Sequence, residues 1–167
     1  MADPAVRIVT LVLNYKLAEL TVGCLDHLLA DGGSDHRVVL LDNGSGAEQV
    51  ALLERATADR EGVEFESLGS NLGYCVAMNR GIARAEQLGA EYVLFLNNDV
   101  QVEPGCLSSL VSVLDNDPAI AGVAPTILQP DGRVWCQGAE VGFAPNLTRL
   151  LGQGGAPAPV TAGPKSV

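Results

Sequence analysis

Basic residues are scarce in this 167-residue sequence: 10 lysines and arginines stand against 20 aspartates and glutamates, giving a formal net charge of -10. A chain this acidic repels nucleic acid and anionic membrane surfaces, so neither is expected as a direct electrostatic partner. An acidic protein can still bind a phosphate ligand when a divalent cation lies between the two sets of negative charge. The charge balance therefore disfavours polyanion binding and leaves small phosphate ligands open.

Cysteine pairs at metal-binding spacing are absent. The four cysteines lie far apart in the sequence, at Cys24, Cys75, Cys106 and Cys136, and no CxxC motif occurs. A zinc site is therefore disfavoured, and buried free thiols in a reducing compartment are expected. The sequence opens without the basic head and long apolar run of a signal peptide, and no stretch has the length of a membrane span. These features predict a cytoplasmic protein, and they are compatible with peripheral attachment at the inner face of the membrane.

The signature motifs of three common α/β enzyme classes are missing as well. The first apolar run is followed by NYKLAEL and not by GxGxxG, which disfavours a dinucleotide-binding dehydrogenase. No GxxxxGK[ST] occurs, so a P-loop phosphotransfer enzyme is excluded, and no GxSxG occurs, so an α/β-hydrolase is excluded.

Short apolar runs alternate with helical patterns along the chain. Strands are predicted at residues 7–13, 37–41, 63–67, 92–96 and 120–124, and helices at residues 17–30, 47–60, 73–88 and from Pro104 onward. Strands without internal alternation, separated by helices, indicate an α/β fold with a parallel sheet covered on both faces. A hairpin is predicted at residues 126–137, with Pro130-Asp131-Gly132 as its turn. The organisation predicts one domain over residues 1–151 and a Gly/Pro/Ala-rich loop or disordered tail over residues 152–167.

A polar cluster follows each of the first four predicted strands. The clusters are Asn14-Tyr15, Asp42-Asn43-Gly44-Ser45, Asn71-Leu72-Gly73 and Asn97-Asn98-Asp99. Because the carboxyl ends of parallel strands meet at one edge of a sheet, where ligands bind, these clusters predict a ligand site. Two of them also have a purely structural interpretation, since Asp42 can begin a turn and Asn71 can cap a helix. Asp99 follows a buried strand, where a carboxylate must be paired or bind a cation.

The four clusters resemble, in order and approximate spacing, the motifs of the family 2 glycosyltransferases. The matching segments, between about Arg7 and about Gly142, are VLNYK, LLDNGS, NLGYCVAMNRGIARA and LFLNNDV. The third is similar to the family's Asn-x-Gly-aromatic pattern, and the fourth is an Asn-x-Asp form of its Asp-x-Asp metal motif. LNND and NLGY favour the rhamnosyl- and galactofuranosyltransferase branch. The resemblance implies the nucleotide-binding half of the GT-A fold, a Rossmann-like, mostly parallel sheet flanked by helices, truncated before the acceptor half.

The resemblance also implies a role for each residue on the nucleobase side of the site. Asn14 and Tyr15 would lie beside the base, and Asp42 would accept hydrogen bonds from the N–H groups of uracil or thymine. Asn71 and Gly73 would line the nucleotide pocket, where a glycine lets the backbone come close to the ligand.

On the phosphate side, Asn79 and Arg80 would lie on the helix behind the pocket. Arg80 would reach a phosphate, although a solvated surface arginine is an equally good interpretation. Asn97 would contact the ribose or the water shell of the metal, and Asn98 belongs to the same nucleotide-binding segment. Asp99 would hold Mg²⁺ or Mn²⁺ against the diphosphate. Because Asn97 replaces a carboxylate of the family motif, affinity for the ion without nucleotide is expected to be low.

These roles imply an inverting glycosyltransferase that takes a UDP- or dTDP-sugar donor and, in the full enzyme, a glycan or lipid-linked acceptor. No acidic residue after Asp99 falls in the family's Glu-Asp base motif, so the general base is expected beyond the C-terminus and no catalytic residue is named. Apolar surface left uncovered by a truncation favours a homo-oligomer.

Two alternatives remain open from the sequence. A non-catalytic nucleotide-binding or interaction module can use the same α/β sheet, since fold alone does not determine function. A sugar nucleotidyltransferase uses a related sheet but needs a glycine-rich, basic stretch after the first strand, where this sequence offers only Lys16.

Overall fold

The computed structural model describes residues 6–141 and 148–157 of the chain. The chain forms two compact units, Met1–Leu107 and Ser108–Val167. The elements of the first unit are β1 (Ile8–Asn14), α1 (Ala18–Asp31), β2 (His36–Asp42), α2 (Ala47–Thr57), β3 (Val63–Ser67), α3 (Tyr74–Gln87) and β4 (Tyr92–Asn97). The strands and helices predicted for this part of the chain are therefore confirmed, with ends that shift by a few residues.

The four strands form one parallel sheet in the order β3-β2-β1-β4. In its register Asn14 pairs with Asp42, and Leu13 pairs with Asn97 on the other side of β1. The next neighbour of Asp42 is Ser67, the last residue of β3. The carboxyl ends of all four strands thus lie at one edge, as predicted from the parallel topology.

Apolar side chains pack on both faces of the sheet and follow the two-residue period of the strands. The cluster under α1 and α2 includes Val12, Val38, Leu40, Leu25, Leu28 and Leu53. The cluster under α3 includes Val9, Leu11, Val39, Leu41, Met78 and Ala85. Since full burial of one such aliphatic side chain stabilises a fold by about 1.5–3 kcal/mol, β1 and β2 form the stable centre of this unit.

The last strand of the sheet, β4, is less covered than predicted. Val93 and Phe95 are 36% and 52% exposed. Both pair in register with Val9 and Leu11, so they lie on the α3 face of the sheet, while the α3 residues Met78 and Ala85 pack on the β1 and β2 side chains. The prediction of a sheet covered on both faces was therefore wrong for β4, and an apolar strip is exposed there. The expected homo-oligomer stays a prediction.

The buried stripe of α3 also corrects the expectation of buried thiols. Met78 is buried, together with Ala77, Gly81 and Ala85, but Cys75 is exposed. At 100° per residue, Cys75 points about 200° away from Ala77 and so faces the opposite side of the helix. Among the other cysteines Cys24 is buried, while Cys106 and Cys136 are partly buried.

The second unit begins within α4 (Cys106–Asn116). The helix was predicted to begin at Pro104. Pro104 lies instead in the turn before the helix, which begins at Cys106. The predicted strand at residues 120–124 is absent from the described structure; three of its five residues, in the sequence Ile-Ala-Gly-Val-Ala, are alanine or glycine and offer little side-chain area for packing. The predicted hairpin is present, formed by the antiparallel strands β5 (Ile127–Leu128) and β6 (Val134–Cys136).

A further antiparallel pair follows, β7 (Ala139–Val141) with β8 (Thr148–Leu150). The backbone of Val134 in β6 also pairs with that of Gly154 and Gly155, so the first residues of the predicted tail are a loop joined to β6. Residues 158–167 lie outside the described residues, and the division predicted after residue 151 stays a prediction. Within the described ranges, no helix is long and apolar enough to cross a membrane.

Candidate functional site

Asn14, the last residue of β1, is the centre of a polar cluster at the carboxyl edge of the sheet. Its side chain is fully buried. The Nδ2 group donates hydrogen bonds to Asp42 Oδ1 at 2.7 Å and to Ser45 Oγ at 3.0 Å. The Oδ1 atom accepts hydrogen bonds from Thr21 Oγ1 at 2.8 Å and from the Leu17 N–H at 3.3 Å. These contacts fix the amide in one orientation between β2 and α1.

The segment after β4 is attached to the same cluster through Asn98. Asn98 Nδ2 donates to Thr21 Oγ1 at 2.8 Å and makes a longer contact of 3.5 Å with Asn14 Oδ1. One residue earlier, the carbonyl of Asn97 lies 3.6 Å from the sulfur of Cys24. Burial raises the pKa of the Cys24 thiol to about 11, so it stays a protonated donor at neutral pH. The buried side of α1 thus contacts the end of β4 at two points.

Asp42 is fully buried and holds the turn that follows β2. Its Oδ2 atom accepts hydrogen bonds from the backbone N–H groups of Gly44 at 3.2 Å and Ser45 at 3.0 Å. A carboxylate has about four acceptor positions, and Asn14 uses a third, so one remains for the N–H of a ligand. Because no surface of Asp42 is exposed, a base would reach it only after the turn moves. The predicted contact between Asp42 and a nucleobase stays a prediction.

The turn after β2 is joined to the segment after β3. Asn43 Nδ2 donates to Asn71 Oδ1 at 3.2 Å, and the Leu72 N–H donates to Asn43 Oδ1 at 2.9 Å. Asn71 Oδ1 also accepts the Gly73 N–H at 2.9 Å, which places Gly73 at the start of α3. A side chain on Gly44 would collide with the backbone of Ser70, so the two segments can approach only because that position is glycine.

Tyr15 presents an aromatic ring at the same edge. Its side chain is 42% exposed, and Lys16 Nζ lies 5.0 Å from the ring centroid. Hydrogen bonds from the side chains of Asn71 and Lys16, together with the charge of Lys16, lower the pKa of Tyr15. The exposed ring offers a flat surface on which a planar ligand can stack.

Asn79 and Arg80 lie farther along α3 and are exposed. Arg80 Nη2 is 2.5 Å from Glu66 Oε1 of β3, which directs the guanidinium toward that carboxylate. An exposed pair of this kind contributes little to stability, about 0–1 kcal/mol, and leaves Arg80 able to change partner. The phosphate contact predicted for Arg80 and the site role of Asn79 stay predictions.

Asp99 is exposed, so the expectation that its carboxylate must be paired or bind a cation after a buried strand was wrong: no residue of β4 is buried, and water can solvate the carboxylate. Asp99 lies in the wall of a small cleft of about 120 Å³, lined in part by Glu19, Cys24 and Gln101. No group of three or more His, Cys, Asp or Glu in the described ranges could hold a metal ion. Mg²⁺ is bound in many phosphate-transfer sites by one or two carboxylates, with water and substrate phosphates completing its shell. The carboxylate of Asp99 therefore fits an ion that arrives with a diphosphate better than one that is held permanently.

Sequence reasoning missed one member of the cluster, Thr21. It lies on the buried side of α1 among leucines, and a polar residue on such a face is the signal that marks it. Ser45 and Asn43 were visible as turn residues, but their hydrogen bonds to Asn14 and Asn71 depend on strand register and could not be inferred from sequence spacing.

Comparison with known proteins adds independent findings. The family model described as "Glycosyl transferase family 2" matches residues 8–155. The chain is 31% identical over 122 residues to the N-acetylglucosaminyl-diphospho-decaprenol L-rhamnosyltransferases of Mycobacterium tuberculosis strains CDC 1551 / Oshkosh and ATCC 25618 / H37Rv. These alignments cover 67% of this chain and 37% of each relative, so the chain spans little more than a third of their length.

Solved structures show the same architecture. The mannosyltransferase PcManGT from Pyrobaculum calidifontis, in complex with GDP-Man and Mn²⁺, superposes with a TM-score of 0.63 at 19% identity, covering 77% of this chain and 38% of that one. S. aureus TarS 1-349 in complex with UDP-GlcNAc superposes with a TM-score of 0.57 at 19% identity, covering 66% and 31%. At such low identity these likenesses bear on the fold alone.

Proposed function

Because the chain belongs to glycosyl transferase family 2 and has the predicted GT-A fold, we propose that its carboxyl edge binds the nucleoside diphosphate part of a nucleotide-sugar donor. The observation that carries the proposal is the set of hydrogen bonds through which Asn14 joins Asp42 to Asn98, the residue before Asp99. A base-binding segment and a metal-binding segment must be held together in this way to bind both ends of one ligand.

A pyrimidine nucleotide, UDP or dTDP, is the ligand that we propose. Tyr15 offers an exposed ring for stacking on the base. The remaining acceptor position of Asp42 suits the imide N–H of uracil or thymine. The turn at residues 43–46 would move to expose it.

A divalent cation, Mg²⁺ or Mn²⁺, completes the proposed site through Asp99. When bound, it would act as a Lewis acid for the charge that develops on the leaving diphosphate. The chain's formal charge of -10 favours such an ion, because a cation between an acidic protein and a diphosphate reduces the repulsion between them. PcManGT, which has a similar fold, was solved in complex with both GDP-Man and Mn²⁺, which supports a nucleotide sugar and a divalent cation as ligands of one site.

Transfer of the sugar, with inversion, to a glycan or lipid-linked acceptor is the reaction that we propose for the full enzyme. The mycobacterial relatives are named as rhamnosyltransferases that act on a lipid diphosphate acceptor, which supports a deoxysugar donor and a role in the cell envelope. The general base is not among the residues assigned here, and its position stays a prediction.

Isothermal titration calorimetry of the folded chain with UDP, dTDP and GDP, each with and without Mn²⁺, tests the donor assignment. We expect heat of binding with UDP or dTDP when Mn²⁺ is present, weaker binding without the ion, and weak binding of GDP in both cases. Absence of binding by all three nucleotides in a folded sample would contradict the proposal, and preference for GDP would contradict the pyrimidine assignment.

The metal assignment is tested by replacing Asp99 with alanine. Loss of a carboxylate ligand is expected to weaken Mn²⁺-dependent nucleotide binding by about tenfold or more, which corresponds to about 1.4 kcal/mol. Asp59→Ala is the matched control, since Asp59 is also exposed but lies after α2. If Asp99→Ala kept the same dependence on Mn²⁺ as Asp59→Ala, the ion would be held by other residues.

A further inference from the structure

Thr21 occupies a central position between the two halves of the proposed site, although it has no exposed surface. Its Oγ1 atom lies 2.8 Å from Asn14 Oδ1 and 2.8 Å from the Asn98 Nδ2 donor. The Leu17 carbonyl, 3.0 Å away, is a second acceptor for the single hydroxyl proton. Whichever acceptor takes that proton, the hydroxyl oxygen remains free to accept the Asn98 N–H.

We propose that Thr21 is a positioning residue that fixes Asn98, and through its backbone Asp99, relative to the Asn14–Asp42 pair. The proposal rests on the function proposed above, because its consequence is the geometry of nucleotide binding through a metal ion. Thr21 would not contact the nucleotide itself. It would couple the base-binding and metal-binding segments through the buried side of α1.

The hydrogen bonds of Asn98 support this role. Of the two that its Nδ2 group donates in the described structure, the one to Thr21 is short at 2.8 Å and the one to Asn14 is long at 3.5 Å. Asn98 is half-buried, so without the threonine hydroxyl its side chain could turn toward solvent. Asp99 would then follow a segment with one anchor fewer.

A contact made by the next turn of α1 also supports this role. Cys24 lies three residues after Thr21, on the same side of the helix, and its sulfur contacts the Asn97 carbonyl at 3.6 Å. The Thr21 contact is therefore the one that fixes a side chain of the metal-binding segment, while the Cys24 contact fixes its backbone. Removing the hydroxyl leaves the backbone contact in place, so the fold is expected to survive while the geometry around Asp99 loosens.

Thr21→Val removes the hydroxyl with little change in shape, and Thr57→Val is its matched control. Thr57 is also buried in a helix, but its Oγ1 donates to the Leu53 carbonyl of its own helix at 2.8 Å. The measurement is calorimetric binding of UDP or dTDP at a series of Mn²⁺ concentrations. We expect Thr21→Val to raise the apparent Kd for Mn²⁺ about tenfold, consistent with loss of one buried hydrogen bond, and Thr57→Val to leave it unchanged.

Two further variants separate positioning from general stability. Thr21→Ser keeps the hydroxyl and is expected to restore the wild-type dependence on Mn²⁺. In an Asn98→Ala background, Thr21→Val is expected to have no further effect on the Kd for Mn²⁺, because Thr21 acts through Asn98. If Thr21→Val does not fold, Thr21→Ala takes its place with the same expectations.

The outcomes distinguish this inference from the proposed function. Equal Kd values for Mn²⁺ in the wild type, Thr21→Val and Thr57→Val would overturn the positioning role and leave the donor site standing. An additive loss in the Asn98→Ala background would also overturn it. Absence of Mn²⁺-dependent nucleotide binding in the wild-type chain would overturn both.

Discussion

The two ends of the same sheet both contain buried polar side chains, but they are organised differently. At the amino end, Thr10 Oγ1 and His36 Nε2 lie 2.8 Å apart in a buried pair, and Gly32 leaves room for the imidazole ring. At the carboxyl end, four residues farther along β1, Asn14 joins several segments at once. The Thr10–His36 pair and the Asn14–Asp42 pair both lie on the α1 and α2 face of the sheet.

The difference lies in what each pair connects to. The amino-end pair consists of two side chains that bond to each other, and it is a satisfied polar contact within the core. The carboxyl-end cluster continues from Asp42 and Asn14 to the half-buried Asn98, next to the exposed Asp99. Burial of polar groups alone therefore does not distinguish the two ends, whereas a buried network that leads to exposed polar groups occurs only at the carboxyl end, where the donor site is proposed.

The two ends should differ most in the unfolding free energy that is lost when one side chain of each pair is removed. Asn14→Ala would remove one hydrogen bond from the buried Asp42 carboxylate and another from the Thr21 hydroxyl, and is expected to cost about 4 kcal/mol of unfolding free energy. Thr10→Val would leave one imidazole nitrogen unpartnered and is expected to cost about 1 kcal/mol. Urea denaturation measures both. A loss for Thr10→Val as large as that for Asn14→Ala would remove the distinction.

A second, smaller effect concerns the close approach of segments at the carboxyl edge. Gly44 has a φ of 80°, and an added Cβ would lie 2.5 Å from the Ser70 carbonyl carbon. Gly69 has a φ of 74° with open space around it, so Gly69→Ala is a matched control for backbone strain alone. We expect Gly44→Ala to destabilise the fold by about 2 kcal/mol more than Gly69→Ala, because overpacking adds to the strain. Equal losses in thermal or urea unfolding would show that the two segments can separate freely.

The smallest expected effect is a pH dependence of stability that belongs to the amino end. Burial lowers the pKa of His36, an effect that Arg37 reinforces and the carboxylates of Asp35 and Asp31 oppose. The unfolded chain, with an ordinary histidine value of 6.5, therefore takes up a proton first as the pH falls. Stability should decrease as the pH drops below about 6.5, since the unfolded state then binds more protons.

The histidine variants identify the source of that dependence. His36→Gln is expected to remove this part of the loss between pH 7 and pH 5.5, measured as the change in unfolding free energy. His27→Gln is the control, because His27 is exposed and should keep the wild-type slope. A slope that vanished in His27→Gln and persisted in His36→Gln would contradict the assignment.

The sequence was sufficient for the parts of the molecule that depend on local pattern. Apolar runs with helices between them predicted the parallel sheet, and the position of each polar cluster at a strand end predicted the common edge. The run at residues 120–124 was wrong as a strand because apolar residues alone do not supply a pairing partner or packing area.

The parts that depend on tertiary register were not predictable. His36 had no recognisable partner in sequence, since Thr10 is 26 positions away and becomes its neighbour only through the pairing of β1 with β2. Thr21 likewise meets Asn98, 77 positions away, only through the tertiary fold. Exposure of Phe95 likewise depends on where α3 crosses the sheet.

Paramagnetic broadening in NMR spectra of the ¹⁵N-labelled chain tests the central claim most directly, with UDP or dTDP added first with Mg²⁺ and then with Mn²⁺. The account predicts that Mn²⁺ broadens the amide signals of Asn14, Gly44 and Asp99, while Gly33 and Gly62, which precede β2 and β3 at the amino edge, stay sharp. Broadening confined to the amino edge, or none at the carboxyl edge with nucleotide in excess, would contradict it.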